Sequence, residues 1–357
     1  MDSPPLQPRF PIPPADPVLE RELREAVGGK AKPPGSLGRI EDLAVRLGLI
    51  QGTAQPRAER ATLLLFAGDH GLCEEGVSAY PQSVTTAMVA TFLSGRAAAS
   101  CFARTVGAEV RVIDAGVAAD LSEMAGLIHA KVREGTRNAA REPALTLAEV
   151  EEALDRGAAE AQRAVQDGAD IVLIGEMGIG NTAASALLMH RLLPAPLALC
   201  IGRGAGHDEA GIARKQEVLA RAAARSDATS PVSVLSEFGG LEIVMMAGAV
   251  LGAARERRPV LVDGFIATVA ALVAIRLAPD VERCLVYAHR SAEAGHDLLL
   301  RSLGVTPLLD LDLRLGEGTG GLLALPLLRA ATAMLSGMAS LEEVLVGEAL
   351  AGAAGAG

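Results

Sequence analysis

Acidic residues beside glycines, set where apolar runs end, are the recurring chemical feature of this chain. Gly68-Asp69-His70-Gly71 closes the run Ala61–Ala67, and Asp114-Ala115-Gly116 ends the run that begins at Glu109. Gly175–Thr182 (GEMGIGNT) follows Asp170–Ile174, and Asp263-Gly264 follows Pro259–Val262. In an open α/β sheet, ligands bind outside the carboxyl ends of the strands, so these four segments are candidate walls of a site. Gly175–Thr182 resembles a phosphate-cradling turn. Its glycines free backbone N–H groups, and Asn181 or Thr182 stands where a helix cap is needed. It lacks the closing Gly-Lys-Ser/Thr of a Walker A loop and is not GxGxxG. Spacing alone therefore leaves a plain strand-to-helix turn open.

A second glycine cluster, Gly202-Arg203-Gly204-Ala205-Gly206, precedes Lys215, which falls inside a predicted helix over 208–224. A lysine there ordinarily faces solvent. It is also within reach of folding back onto a phosphate as a point charge. Glu317 stands between Gly316 and Gly318. Flanking glycines either mark an ordinary loop or let the backbone bring a carboxylate close to a pocket. Buried beside Leu315, such a carboxyl would have a raised pKa, which suits a general base. Upstream, Leu309, Leu311, Leu313 and Leu315 alternate with Asp310, Asp312 and Arg314, predicting a short extended segment with one buried face.

The histidines form no HExxH motif; His70, His289 and His296 read as local hydrogen-bonding groups, and no metal site is expected. Cys73, Cys101, Cys200 and Cys284 are widely spaced without a CxxC, which predicts reduced cysteines, most of them buried.

These groups need elements to hold them. Nearly continuous apolar strands are predicted at Ala61–Ala67, Glu109–Ala115, Asp170–Ile174, Pro259–Val262 and Cys284–Tyr287. Ala-rich helices are predicted between them, at roughly 83–105, 147–166, 181–191, 208–224, 239–256 and 266–277. Strands alternating with helices point to an open, mostly parallel α/β sheet flanked by helices. The first residues, up to about Pro17, are proline-rich and are expected to be extended and mobile. Asp16-Pro17 then opens a short helix with Leu19, Leu23 and Val27 on one face. A second helix carries Ile40, Leu43, Leu47 and Ile50. The tail reads as two helices, Leu322–Met338 and Leu341–Leu350, with Pro326 expected to confine the first to residues from about 325 onward. The resulting partition is an α/β core over 60–305 and a smaller, mainly helical domain from 1–59 and 306–357.

Composition narrows the function. With 357 residues, 50% of them hydrophobic, the chain has ample apolar surface to order itself, so disorder and a disulfide-stapled miniature fold are both excluded. Its 33 basic and 43 acidic residues give a net charge of −10, with no basic block to grip a nucleic-acid backbone or an anionic membrane. An aromatic content of 2% is too low for a stacking platform along a single strand. The amino terminus has neither the basic nor the apolar region of a signal peptide, so a cytoplasmic protein is expected. The stretch Val260–Leu277 is interrupted by Asp263, Gly264 and Arg276 and falls short of the roughly 20 apolar residues of a membrane span. A buried strand followed by a buried helix is predicted instead.

Taken as a set, the segments are far more specific than singly. KPPGSLGRIEDLA (32–44), AGDHG with GVSAYPQSVT (67–85), GEMGIGNTAASA (175–186), GRGAG with RK (202–215), EFGGLEI with MAGA (237–249), RRPVLVDGFI (257–266), HRSAEAGH (289–296) and RLGEGTGG (314–321) resemble the nicotinate-nucleotide:dimethylbenzimidazole phosphoribosyltransferase family of cobalamin lower-ligand synthesis. The likeness runs from about residue 18 to 350. It implies a Rossmann-like large domain, a small domain drawn from both chain ends, and a homodimer. The implied reaction moves the phosphoribosyl group of nicotinate mononucleotide to 5,6-dimethylbenzimidazole without cofactor or metal. Residue by residue, it implies Glu317 as the catalytic glutamate and Glu176 as a second active-site glutamate. Gly175, Gly178, Gly202, Gly204 and Lys215 would hold phosphate and ribose, and Ser78, Met177 and Leu315 the base. Two positions depart from the family pattern: Ala87 stands where Gln is common, and Ala288 where Ser is frequent. The loss of an amide at 87 keeps transfer to another acceptor base in play. A non-catalytic nucleotide-binding module and a dinucleotide oxidoreductase are the readings from other classes.

Overall fold

The structure, a computed structural model, describes residues 10–202, 206 and 208–346. The elements follow in chain order. Helices α1 (Pro17–Gly28) and α2 (Arg39–Gln51) precede strand β1 (Ala61–Gly68); α3 (Ser83–Leu93) and α4 (Ala98–Val106) lead to β2 (Glu109–Gly116) and β3 (Ile128–His129). Then come α5 (Leu147–Gln166), β4 (Ile171–Met177), α6 (Asn181–Leu192), α7 (Leu197–Cys200), α8 (Glu209–Ala224), α9 (Pro231–Phe238) and α10 (Leu241–Arg255). The chain continues through β5 (Val260–Val262), α11 (Phe265–Leu277), β6 (Leu285–Tyr287), β7 (His289–Arg290), α12 (Ala294–Ser302), β8 (Leu309–Asp310) and α13 (Thr319–Gly337).

Six strands form one parallel sheet in the order β3-β2-β1-β4-β5-β6. The α/β architecture is the one the apolar runs predict, and all the sheet strands except the short β3 fall on those runs. Strand residues alternate between two cores, as a pleated sheet requires. Leu64, Phe66, Val172, Ile174 and Val262 face a core shared with α5, α6, α9, α10 and α11. Leu63, Leu65, Ala67, Leu173 and Leu261 face the other, where residues of α1 and α2 meet those of α13. The chain order reverses between β1 and β4, the kind of switch point beside which open α/β sheets bind their ligands.

Local chemistry accounts for several boundaries. The Asp16 carboxylate accepts hydrogen bonds from Val18 N at 2.9 Å and Leu19 N at 3.1 Å, with Pro17 in the first turn of α1. Thr146 and Glu149 form a reciprocal capping box at the start of α5, satisfying two amides that would otherwise be unpaired.

Five expectations are corrected. Mobility does not extend to Pro17: Phe10 is buried in the first core, and Arg283 donates to the Pro13 carbonyl at 3.3 Å. The helix predicted over 83–105 is two, because Gly95 turns the chain with φ 73°. The helix predicted over 239–256 begins at Leu241, after the Gly239-Gly240 pair that ends α9. Helix α13 starts at Thr319, seven positions ahead of Pro326. Proline inside a helix costs about 3 kcal/mol. Complete burial of Leu322, Leu325 and Leu328 offsets it at about 1.5–3 kcal/mol per side chain. Finally, the alternating leucines have no common buried face. Only Leu309 and Asp310 pair, with β7, while Leu311 and Leu315 are 54% and 59% exposed; the segment runs along the rim of a cleft rather than inside a sheet.

Residues 341–346 are helical, and the rest of the helix predicted to Leu350 lies outside the described residues. Helix α13 is long and apolar enough to cross a membrane, but Leu322, Leu325, Leu328, Met334 and Leu335 are taken up by the second core. Val260–Leu277 divides into β5 and α11, both buried.

Candidate active site

A cleft of about 330 Å³ opens beyond the carboxyl ends of β4, β5 and β6. One wall is Glu176–Thr182 without Gly180, another Asp263–Ala267, and a third comes from His289, Ser291 and Glu293. Tyr80, Val84 and Met88 close one side, and Arg314–Glu317 close the other. Val84 and Met88 lie one turn apart on α3, so they share a face.

Glu317 is delivered by unusual backbone. Gly316, Glu317 and Gly318 have φ of 89°, 62° and 79°, three successive left-handed residues of which only the glycines adopt that region freely. A glutamate held there is strained, and such strain persists where the surroundings over-determine it. The Asp263 carboxylate, at the end of β5, accepts from Gly318 N at 3.1 Å and Gly321 N at 3.0 Å, capping α13. Gly175 permits the close approach from below: a Cβ there would lie 2.7 Å from Gly318 N and 2.8 Å from the Glu317 carbonyl carbon. The Glu317 carboxylate accepts from Ala99 N at 3.4 Å and is only 6% exposed. Burial, aided by the charge of Asp263, raises its pKa above the usual carboxyl range, although the Ala99 amide opposes this.

Glu176 receives a hydrogen bond from the Asn181 side-chain amide. Burial, followed by repulsion from Asp263, Glu242 and Glu317, pushes it up to about 8. The shift favours its protonated form. His289 approaches Asp263 at 3.5 Å. Burial disfavours its charged form, but bonding and attraction to Asp263 prevail and its pKa rises. His296 is held by Ser291 N at 2.8 Å and Thr268 Oγ1 at 3.0 Å, and burial depresses it to about 3. Both histidines do local hydrogen-bonding work. Among the described residues, no three His, Cys, Asp or Glu side chains gather in a way that could hold a metal ion.

Lys215 is not a solvated face residue. It is 0% exposed, because α8 packs that side inward, and its Nζ donates to Thr182 Oγ1 at 2.9 Å and the Gly202 carbonyl at 3.3 Å. No carboxylate pairs with it among the described residues. Burial lowers its pKa to about 8, partly countered by the field of Glu293. An ammonium buried without a counter-ion is a site prepared for an anion. Thr182 joins it to the cleft, so Thr182 serves the lysine rather than capping α6; the cap position is Gly180 and no side chain fills that role.

The remaining sequence candidates divide. Gly178, Met177 and Leu315 line the cleft with Glu176 and Glu317. Gly175 sits beneath the Glu317 loop, and Gly202 holds Lys215. Gly204 lies outside the described residues. Ser78 is not among the lining residues; its Oγ accepts from Tyr80 N at 3.2 Å, shaping the loop that brings Tyr80 to the cleft. Ala87 is exposed on α3 and is not among the residues that line the cleft. Of the cysteines, Cys200 and Cys284 are buried, Cys73 is half-buried and Cys101 exposed; all are free. Sequence reasoning overlooked Tyr80, Val84, Met88 and Arg314 as walls. It had Asp263 at a strand end, without its role as the α13 cap.

A crevice at a switch point, glycine turns beside a buried lysine, and carboxylates over an apolar floor define an α/β enzyme of the nucleotide-handling class. The comparisons narrow this further. Residues 12–346 match the family described as "Phosphoribosyltransferase", and the chain belongs to it. It is 53% identical over 334 residues to the nicotinate-nucleotide–dimethylbenzimidazole phosphoribosyltransferase of Cupriavidus necator, covering 93% of this chain and 96% of that protein. The protein of the same name from Deinococcus radiodurans is 50% identical over 339 residues, 93% of each chain. The crystal structure of CobT from Thermus thermophilus superposes with a TM-score of 0.89 at 44% identity, over 92% of this chain and 98% of that one.

Proposed function

We propose that this protein moves the 5-phosphoribosyl group of nicotinate mononucleotide onto 5,6-dimethylbenzimidazole, releasing nicotinate and α-ribazole 5′-phosphate. The observation that carries the reading is a cleft walled by carboxyl groups, with a buried lysine directly behind its Thr182 wall. Lys215, which has no paired carboxylate among the described residues, serves the phosphate, and buried carboxyl groups serve the cationic pyridinium and the acceptor's acidic N–H. The names of the relatives supply the particular substrates.

The leaving nicotinate is a pyridinium on C1′, and its departure neutralises the ring, so little acid catalysis is required. Attack by one nitrogen of the benzimidazole creates a cation unless the other nitrogen sheds its proton. Glu317 takes that proton as the C1′–N bond forms, and its charge stabilises the transition state. Glu176 faces the ribose. The cationic ring favours its ionised form on binding, and it then holds sugar hydroxyls or the developing oxocarbenium charge. Backbone amides near Gly178 and Gly202, with Lys215, carry the 5′-phosphate. Met177, Leu315, Val84 and Met88 enclose the flat base. Attack opposite the leaving group inverts the β-linkage to α with no covalent intermediate. The same reading carries a homodimer acting in the cytoplasm; sedimentation velocity checks the first part.

The test is nicotinate release from the mononucleotide with and without the acceptor, with the product's anomeric configuration read by NMR. Release that depends on the acceptor and yields the α-anomer supports the reading; acceptor-independent release or a β-product overturns it. The acceptor wall offered by α3, Val84 and Met88, is apolar, so adenine and substituted benzimidazoles belong in the same assay as competitors.

A further inference from the structure

Behind the Gly178–Gly180 turn, on the side away from the cleft, lies a buried ion pair that neither the proposed chemistry nor any wall of the cleft uses. His70 Nε2 lies 2.7 Å from Glu242 Oε1, and the two residues are 1% and 0% exposed. His70 ends the loop after β1, and Glu242 sits in the first turn of α10. The backbone closes tightly over them. A Cβ at Gly178 would meet the Gly68 carbonyl oxygen at 2.5 Å and Glu242 Oε1 at 3.3 Å, and one at Gly180 would meet His70 Cβ at 3.4 Å. Between these glycines, Ile179 is tied at both ends. Its N–H donates to Thr85 Oγ1 at 3.2 Å and its carbonyl accepts from Cys73 Sγ at 3.1 Å. The His70 carbonyl also accepts from Gln82 Nε2 at 2.8 Å, just ahead of α3.

We propose that His70 and Glu242 are positioning residues whose ion pair buttresses the Gly178–Gly180 turn and sets the geometry of the phosphate subsite. This rests on the reading that the turn receives the mononucleotide phosphate. A glycine turn has no side chains of its own to hold its shape, so its precision comes from what it lies on. A buried pair provides a directional support, where an apolar filling of equal volume would let the turn slide. The titratable groups facing the pair are Asp69 beside His70 and, across the turn, Glu176, whose pKa is raised in part by Glu242. Breaking one partner leaves the other buried and unpaired. The variants are therefore the isosteric Glu242→Gln, the conservative Glu242→Asp, His70→Gln, and the double variant His70→Leu/Glu242→Met, which removes both charges together and remains available if a single variant fails to fold.

Two measurements decide the matter. In steady-state transfer, the variants should raise the mononucleotide KM about tenfold while kcat and the acceptor KM stay within about threefold, with Glu242→Asp recovering part of the loss. In calorimetry, inorganic phosphate should bind the variants more weakly than the wild-type protein, whereas nicotinate riboside, which lacks the phosphate, should bind them equally well. Folded variants with unchanged mononucleotide KM and unchanged phosphate affinity would overturn the proposal, as would equal losses for phosphate and riboside. A wild-type protein that binds phosphate but releases no nicotinate would remove the transferase reading instead, and the phosphate arm would still judge the buttress.

Discussion

The buried Glu176 carboxyl group has a measurable consequence in pH, and the buried Lys215 ammonium has one in binding. Glu176 has a folded-state pKa of about 8 because burial and neighbouring carboxylates disfavour its charge. Unfolded, it returns to the ordinary carboxyl range. Between those values the native state holds a proton that the unfolded state has lost, so this group lowers stability as pH rises through the window and no further above it. Glu176→Gln removes the penalty. Its unfolding free energy relative to wild type should climb by about 1.4 kcal/mol per pH unit from pH 5 to pH 8, measured by denaturant titration without ligand. A flat difference would mean that Glu176 is not held in its protonated form. For Lys215, replacement by alanine should raise the mononucleotide KM by about tenfold or more with a smaller effect on kcat, because a charge held for binding serves ground and transition states alike. Unchanged mononucleotide affinity would return Lys215 to a purely structural role.

At the scale of elements, the site depends on how closely the Glu317 loop lies on β4. Gly175→Ala places a methyl group against the backbone of Glu317 and Gly318, atoms that have no flexible side chain to yield. Overpacking of this kind costs about 1–3 kcal/mol. The variant should fold, melt earlier and lose transfer rate by about 100-fold, in keeping with the sensitivity of proton transfer to small displacements. Stopped-flow transfer rates and far-UV circular dichroism check both parts; a wild-type rate would mean that the loop's seat on the strand does not set the carboxylate. This contact also marks the limit of sequence reading. The strands and the glycine-acid pairs at their ends were legible, because apolar runs and turn residues are local signals. That Gly175 serves Glu317, or that Asp263 caps α13 from fifty-odd residues away, is tertiary geometry with no local trace. Pro326 misled for the same reason: its helix penalty is local, whereas the burial of Leu322, Leu325 and Leu328 that offsets it depends on the sheet. The alternation of Leu309–Leu315 imitated a half-buried strand without one, since period two reports conformation and not what covers it.

Over the whole molecule, the segment after α1 meets the end of α13 on one face of the sheet. Lys30, just after α1, donates to the carbonyls of Leu335 and Met338 at 2.7 Å each, at the end of α13, where a cation suits the exposed carbonyls. Ala31 N bonds to Ala339 O at 2.9 Å and Leu341 N to Gly29 O at 2.9 Å, closing the junction. We propose that α1, α2 and α13 form one small helical domain. Lys30→Ala should lower global stability by about 1–2 kcal/mol and raise hydrogen exchange in α1 and α13 together, with the strands unaffected. Exchange that rises in one helix alone would argue against a joint unit.

The most direct test of the account is single-turnover transfer from nicotinate mononucleotide to 5,6-dimethylbenzimidazole by wild-type protein and by Glu317→Gln, with mononucleotide affinity measured on both. The amide preserves the shape of the carboxyl group but does not accept the acceptor's proton. The account predicts a loss of about 100-fold or more in the transfer rate with mononucleotide affinity within about threefold of wild type. A Glu317→Gln protein that turns over at close to the wild-type rate would contradict it.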